Sequence, residues 1–150
     1  IYNKIPSVFT DVDKWPKKTN LLCNWCTRKF DTFPWFEPQS IEPVSVGDVG
    51  IVLSPSKIIR NNYQKGFSII TKGIFCSVNC VSAIIHKNYR NLSDKHNKLE
   101  MLKFLYLLVT GNKIHEILPS PEFTEMLQYG GQLSQSEYQK KIDDLQNEPN

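Results

Sequence analysis

Hydrophobic spacing divides this chain into a β-and-loop half and a helical half. After Ile74, apolar residues recur every three or four positions, the spacing that lines them along one helix face. Val81, Ala83, Ile84 and Ile85 follow Ser77, whose hydroxyl predicts an N-cap for a first helix beginning at the nearby cysteines. Leu99, Leu102, Leu105, Leu108 and Val109 predict a second helix, capped by Ser93 and stopped by Gly111. Ser120-Pro121 opens a short third helix that Gly130-Gly131 closes. Ser134-x-x-Glu137 is a capping box for a fourth, amphipathic through Tyr138, Ile142 and Leu145.

Before Ile74 the pattern is shorter and more broken. Residues 1–20, with Pro6 and Pro16 and no periodicity, predict an extended arm whose run Lys14-Trp15-Pro16-Lys17-Lys18 can touch phosphates but is expected to be solvated. Leu21 to Phe36 is rich in aromatics: Trp25, Phe30, Phe33, Trp35 and Phe36. Val44, Val46 and Val49 with Gly47 and Gly50 predict a strand and turn, and Ile51-Val52-Leu53 a short strand ended by Pro55. Ile58-Ile59 is a further short element, followed by a turn at Asn61-Asn62. Phe67 to Thr71 predicts a strand, with Lys72-Gly73 a tight turn before Ile74-Phe75.

The 150 residues, 40% hydrophobic and 22% charged, suit one domain with a modest core. The longest apolar run, Phe104 to Val109, is too short to cross a bilayer, so no membrane role is expected. No signal-peptide pattern opens the chain, and its start at Ile1 rather than Met raises the expectation of a trimmed leader. Net charge is +3, unevenly spread. Residues 1–115 hold 16 Lys/Arg against 8 Asp/Glu, and residues 116–150 hold 2 against 7. This asymmetry suits an anionic partner for the body, and equally a tail that offsets the body's charge.

The four cysteines form two tight pairs, Cys23-Asn24-Trp25-Cys26 and Cys76-Ser77-Val78-Asn79-Cys80, with 49 residues between them. A divalent zinc ion takes four ligands tetrahedrally with sulfurs at about 2.3 Å, so each pair must bring two sulfurs into one sphere. A two-residue knuckle does this for the first pair, and an i, i+4 step on one helix face for the second. One Zn²⁺ per chain on Cys23, Cys26, Cys76 and Cys80 is the expectation. Two disulfides are the alternative, favoured only in an oxidising compartment. A redox Cys-x-x-Cys is disfavoured because Pro34, Pro38 and Pro43 follow, so no long helix can run on from Cys26. The aromatics around the knuckle are expected to pack over the metal site rather than to stack on bases.

Knuckle, strands, then a helix carrying the second cysteine pair is the treble-clef order. The predicted fold is α+β: a treble-clef-like zinc-binding core with short strands over 21–92, and a C-terminal helical extension, 93–150, packed on it. Leu22-Cys23-Asn24-Trp25-Cys26, Phe33-Pro34 and Gly73-Ile74-Phe75-Cys76-Ser77-Val78-Asn79-Cys80 resemble the FCS/MYM-like zinc fingers of large nucleocytoplasmic DNA viruses. More narrowly, they resemble the poxvirus-type viral late transcription factor 2 family, over roughly residues 21–90. The resemblance implies a trans-acting factor for late viral genes, working at replication sites in the host cytoplasm. It carries the zinc-ligand role to Cys23, Cys26, Cys76 and Cys80. The long insertion between the pairs departs from the family pattern.

Between Asp48 and Asp94 there is no acidic residue, while Lys57, Arg60, Lys65, Lys72, Lys87 and Arg90 supply six cations. Such a stretch can bind the phosphates of viral DNA, and it can equally offset the negative charge of a tetrathiolate zinc centre. An enzyme is not expected, because four thiolates leave no open metal position. His86, His96 and His115 suggest no triad and are expected at the surface. The alternative function is a zinc-stapled adaptor that binds transcription machinery through the acidic C-terminal helices, or that forms a homodimer.

Overall fold

The computed structural model describes residues 5–45 and 65–146. Among these, a three-stranded antiparallel sheet and three α-helices make an α+β fold. The strands are β1 (Val8–Phe9), β2 (Trp35–Ser45) and β3 (Lys65–Phe75), in the order β1-β3-β2. The helices are α1 (Val78–Asn88), α2 (Leu92–Thr110) and α3 (Gln135–Gln146).

The sheet differs from the sequence expectation at both long strands. β2 carries Pro38 and Pro43, which cannot donate to a ladder, and periodicity did not mark it as a strand. It tolerates them because it is an edge strand, hydrogen-bonded on one side to β3. β3 runs on through Lys72-Gly73, where a turn was expected. Gly73 does adopt a positive φ of 72°, but it sits beside a register shift between Trp35↔Phe75 and Glu37↔Lys72. The residue that looked like a turn is a bulge that bends a continuous strand. Of the strand and turn expected over Val44, Val46 and Val49, Val44 falls at the end of β2, and the rest lies outside the described residues. The elements expected at Ile51–Leu53 and Ile58-Ile59 also lie outside them.

Residues expected to form an extended arm supply part of the core. β1 pairs with β3 at Val8↔Ile70 and Phe9↔Ile69. Phe9, Trp15 and Phe36 pack with ring centroids 4.9–5.4 Å apart, and the Trp15 indole donates to the Pro34 carbonyl at 2.9 Å. Each buried aromatic removes a large apolar area from water, and the indole N–H finds the partner that burial demands. The rest of the core surrounds α1, of which Val78–Ala83 and Ile85 are buried. Leu102 and Leu105 of α2 and Tyr138 and Ile142 of α3 complete one continuous apolar cluster.

The helix caps follow local chemistry closely. Ser77 accepts from the Cys80 amide at 3.2 Å. Ser134 and Glu137 make the reciprocal capping box, at 3.0 and 3.2 Å. At α2 the cap is Asn91 rather than Ser93, its carboxamide oxygen taking the Ser93 and Asp94 amides. The helix expected after Ser120-Pro121 is instead two 3-10 turns, Phe123–Glu125 and Leu127–Tyr129. Gly131 returns the chain so tightly that a Cβ there would lie 2.1 Å from the Glu125 carbonyl oxygen. That return closes the loop before an α-helix can form.

Among the described residues one carboxylate is buried. Glu37 on β2 is 2% exposed and accepts from the Tyr89 hydroxyl at 2.8 Å and from Gln39 at 3.0 Å. Its countercharge is the Lys98 ammonium of α2, at 3.9 Å. Lys98 also donates to the Pro38 and Gln39 carbonyls. Burial and the neighbouring carboxylate push the Tyr89 phenol up to about 12. The cluster ties the sheet edge to the α1–α2 corner. Lys98→Met should cost about 3 kcal/mol, since it strands a buried charge. A lowered urea midpoint would register this, and Glu37→Gln should cost less.

Candidate metal centre

The first cysteine pair sits on a knuckle whose turn is closed by backbone bonds, with the Cys26 amide also facing Cys23 Sγ at 3.5 Å. The Cys23 amide donates to the Arg28 carbonyl at 3.0 Å, and the Thr27 amide to the Cys23 carbonyl at 2.9 Å. Thr27 takes a left-handed φ of 62° to close this turn. Asn24 pins the knuckle to β3: its amide donates to the Ile74 carbonyl at 2.8 Å, and its side-chain oxygen accepts from the Ile74 amide at 2.7 Å. A Cβ on Gly73 would lie 2.7 Å from that same oxygen. A side chain there would therefore push the knuckle off the strand.

The second pair does not share a helix face. Cys76 follows the last residue of β3 and precedes the Ser77 cap, and only Cys80 lies in α1. The strand-to-helix junction performs what the i, i+4 step was expected to do. Cys80 occupies the first turn of α1, where free N–H groups and the helix dipole favour a thiolate.

All four sulfurs lie within 4.8 Å of one another, and all four residues are buried. Cys76 Sγ is 3.7 Å from Cys26 Sγ and 3.7 Å from Cys80 Sγ. A disulfide needs about 2.05 Å, and the four cysteines are free. A tetrahedron of sulfurs about 2.3 Å from its centre has edges of roughly 3.8 Å. The quartet can hold a metal ion. Taken as thiols alone, the four share protons unevenly. Cys26 is held far below the usual thiol range by hydrogen bonds with Cys23, then Cys76 and Cys80. Cys76 is pushed up by those with Cys23 and Cys26, and Cys80 by those with all three. A bound cation would displace these protons, since ligating cysteines are thiolates.

Two groups beside the sulfurs escaped the sequence reading. Arg28 Nε donates to Cys26 Sγ at 3.3 Å, its Nη2 to Gln139 at 2.7 Å, and its guanidinium lies 5.1 Å from the Tyr138 ring centroid. Burial works against its charge, but the Cys26 sulfur holds it protonated above its usual range. Arg28 is the nearest cation in sequence to the knuckle, a signal that could have marked it. Ser120 Oγ lies 3.3 Å from Cys80 Sγ, and 40 residues of separation left no signal for it. Of the aromatics around the knuckle, Trp25, Trp35 and Phe36 are buried in the core, with Phe30 and Phe33 packed against it, and Phe36 meets Phe9 and Trp15. The Trp25 indole donates to the Pro121 carbonyl at 3.0 Å.

Of the basic residues singled out, Lys72, Lys87 and Arg90 are exposed. Lys87 Nζ lies 5.8 Å from the Trp25 ring and 6.0 Å from that of Phe123. Lys65 opens β3, and Lys57 and Arg60 lie outside the described residues.

Fold and site together define a small α+β protein with a buried four-cysteine centre able to bind metal. The chain is similar to the uncharacterized protein B175L of African swine fever virus. It is 27% identical over 146 residues to that protein in the Pretoriuskop and Badajoz viruses, covering 97% of this chain and 73% of the relative. The Kenyan isolate gives the same identity and coverage. No protein-family model and no solved structure matches the chain.

A metal on the four thiols would close a loop of 49 residues in a protein of modest core, and structural metal contributes on the order of 10 kcal/mol to small domains. Cys76→Ser should therefore unfold or aggregate residues 21–90 while the α2 segment keeps some helicity. An unchanged melting temperature would contradict this. Gly73→Ala keeps all four thiols but crowds Asn24. It should lose metal to a chelator faster than the parent, which a colorimetric chelator assay can follow.

Proposed function

We propose that this chain is a zinc-finger viral late transcription factor, acting on late viral genes in the host cytoplasm through DNA, transcription machinery or both. The observation that supports it is the closed, buried four-thiol centre that fastens a knuckle to a strand–helix junction. Four soft thiolates in a tetrahedral cage suit one zinc ion, whose role is then structural. All four positions being taken by sulfur, no place is left for substrate, and we read the protein as a binding module rather than an enzyme. The resemblance around the two cysteine pairs supports this reading, and the relatives show a viral protein without assigning it a role.

The surface proposed for DNA is the acid-free stretch, with Lys57, Arg60, Lys65, Lys72, Lys87 and Arg90. Exposed lysines and arginines neutralise phosphates and release counterions, which fixes position without reading sequence. A protein-adaptor role is the second reading. Glu137, Asp143 and Asp144 on α3 are exposed and would repel a polyanion, which suits docking to a protein or a second copy of the chain. Among the described residues no helix is long and apolar enough to cross a membrane.

The test is duplex-DNA binding by fluorescence anisotropy across a salt series, with zinc content measured on the same samples. One zinc per chain and steeply salt-dependent binding are expected. Replacing Lys57, Arg60, Lys65 and Lys72 with Ala should flatten the log–log slope by up to about 3–4 while zinc stays bound. No binding by the zinc-loaded parent at low salt would favour the adaptor.

A further inference from the structure

The chain has three histidines, spaced 10 and 19 residues apart with no ligand-like motif. The fold brings all three to one cleft of about 350 Å³, which Glu100 and Glu116 also line. We propose that this cleft is a second, open site for a divalent transition-metal ion, separate from the cysteine centre and independent of the transcriptional reading.

Three elements deliver the donors. His86 comes from the last turn of α1. His96 and Glu100 are four residues apart on α2, the spacing that places two side chains on one helix face, and His96 Nε2 lies 4.0 Å from Glu100 Oε1. His115 and Glu116 precede Ile117, which is 4% exposed and anchors their segment against α1. That anchor is reinforced by Ser82 Oγ donating to the Ile117 carbonyl at 2.7 Å and by Asn79 donating to the Leu118 carbonyl at 2.8 Å. The backbones are thus held, while the donor side chains stay at the surface. His96 and Glu100 side chains are 72% and 50% exposed, so they can turn inward without breaking the core.

The chemistry suits borderline cations. Neutral imidazole with a carboxylate selects zinc, nickel or copper over magnesium or calcium. Burial, then Lys95, lowers the pKa of His86 against the opposing pull of Glu116, which favours the neutral, ligating form. Among the described residues, the cysteine quartet is the group whose donor atoms already converge. The histidine site must draw its side chains together on binding and is correspondingly weaker and exchangeable. Lys103 opposes it, since its ammonium holds Glu100 at 3.2 Å.

The experiment is a calorimetric titration of Ni²⁺ into the full chain, previously loaded with Zn²⁺ and desalted, with absorption spectra recorded in parallel. One further equivalent should bind, without thiolate-to-metal charge-transfer bands and without release of zinc. His86→Ala, His96→Ala and His115→Ala should each weaken it by about tenfold or more, since loss of even an outer partner of a metal ligand costs this much. Lys103→Ala should instead tighten it by freeing Glu100. These variants alter exposed or half-exposed side chains, and an unchanged melting temperature confirms that they fold. No further equivalent in the parent, or equal binding by the triple histidine variant, would overturn the proposal. Thiolate bands or released zinc would place the nickel at the cysteines and overturn it equally.

Discussion

Four sulfurs converge where three parts of the chain meet: the knuckle at Cys23–Cys26, the end of β3 and the first turn of α1. Asn24 already fastens the knuckle to β3 by two hydrogen bonds, and the sulfurs add the first turn of α1 to that junction. Buried thiols cannot all ionise beside one another, and buried thiolates without a cation carry a large desolvation cost. The surroundings fit a cation at the centre. One guanidinium, Arg28, faces Cys26, and no carboxylate is hydrogen-bonded to any of the sulfurs among the described residues. Four thiolates around a divalent ion stay doubly negative, and Arg28 offsets half of that.

The C-terminal part is tied into this centre. Ser120 reaches Cys80, Pro121 takes hydrogen bonds from the Trp25 indole and the Tyr138 hydroxyl, and Gln139 of α3 holds Arg28. The acidic tail and the basic body therefore fold as one cluster. Lys141 pairs with Glu125 at 3.2 Å within the tail itself.

Metal chemistry divides into two kinds in this molecule. The cysteine centre is closed and buried, which suits a structural ion. The histidine cleft is open, mixed in donor type and crossed by Lys103, which suits a weaker and exchangeable one. They sit at opposite ends of α1, whose first turn carries Cys80 and whose last carries His86. The buried residues of that helix, Val78–Ala83 and Ile85, lie between them, and its last turn is exposed.

Local chemistry made much of this legible in the sequence. The cysteine pairs, the Ser77 cap, the Ser134/Glu137 box and the leucine spacing of α2 are short-range patterns, and each recurs in the fold because its partners lie within a few residues. The Asn91 cap, two residues from the expected Ser93, is a competition between neighbours that propensity cannot rank. Other features depended on residues far apart. β2 escaped because Pro38 and Pro43 argue against a strand unless its outer edge is free, which only the sheet order reveals. Gly73 read as a turn because a positive φ serves a turn or a bulge equally, and pairing with β2 chose the bulge. The arm became core because Phe9 and Trp15 find Phe36 across the sheet. Arg28, Ser120 and the meeting of His86, His96 and His115 were likewise decided by packing. Sequence determines which groups can bond locally, and tertiary structure alone determines which distant groups are left facing one another once the apolar surface is buried.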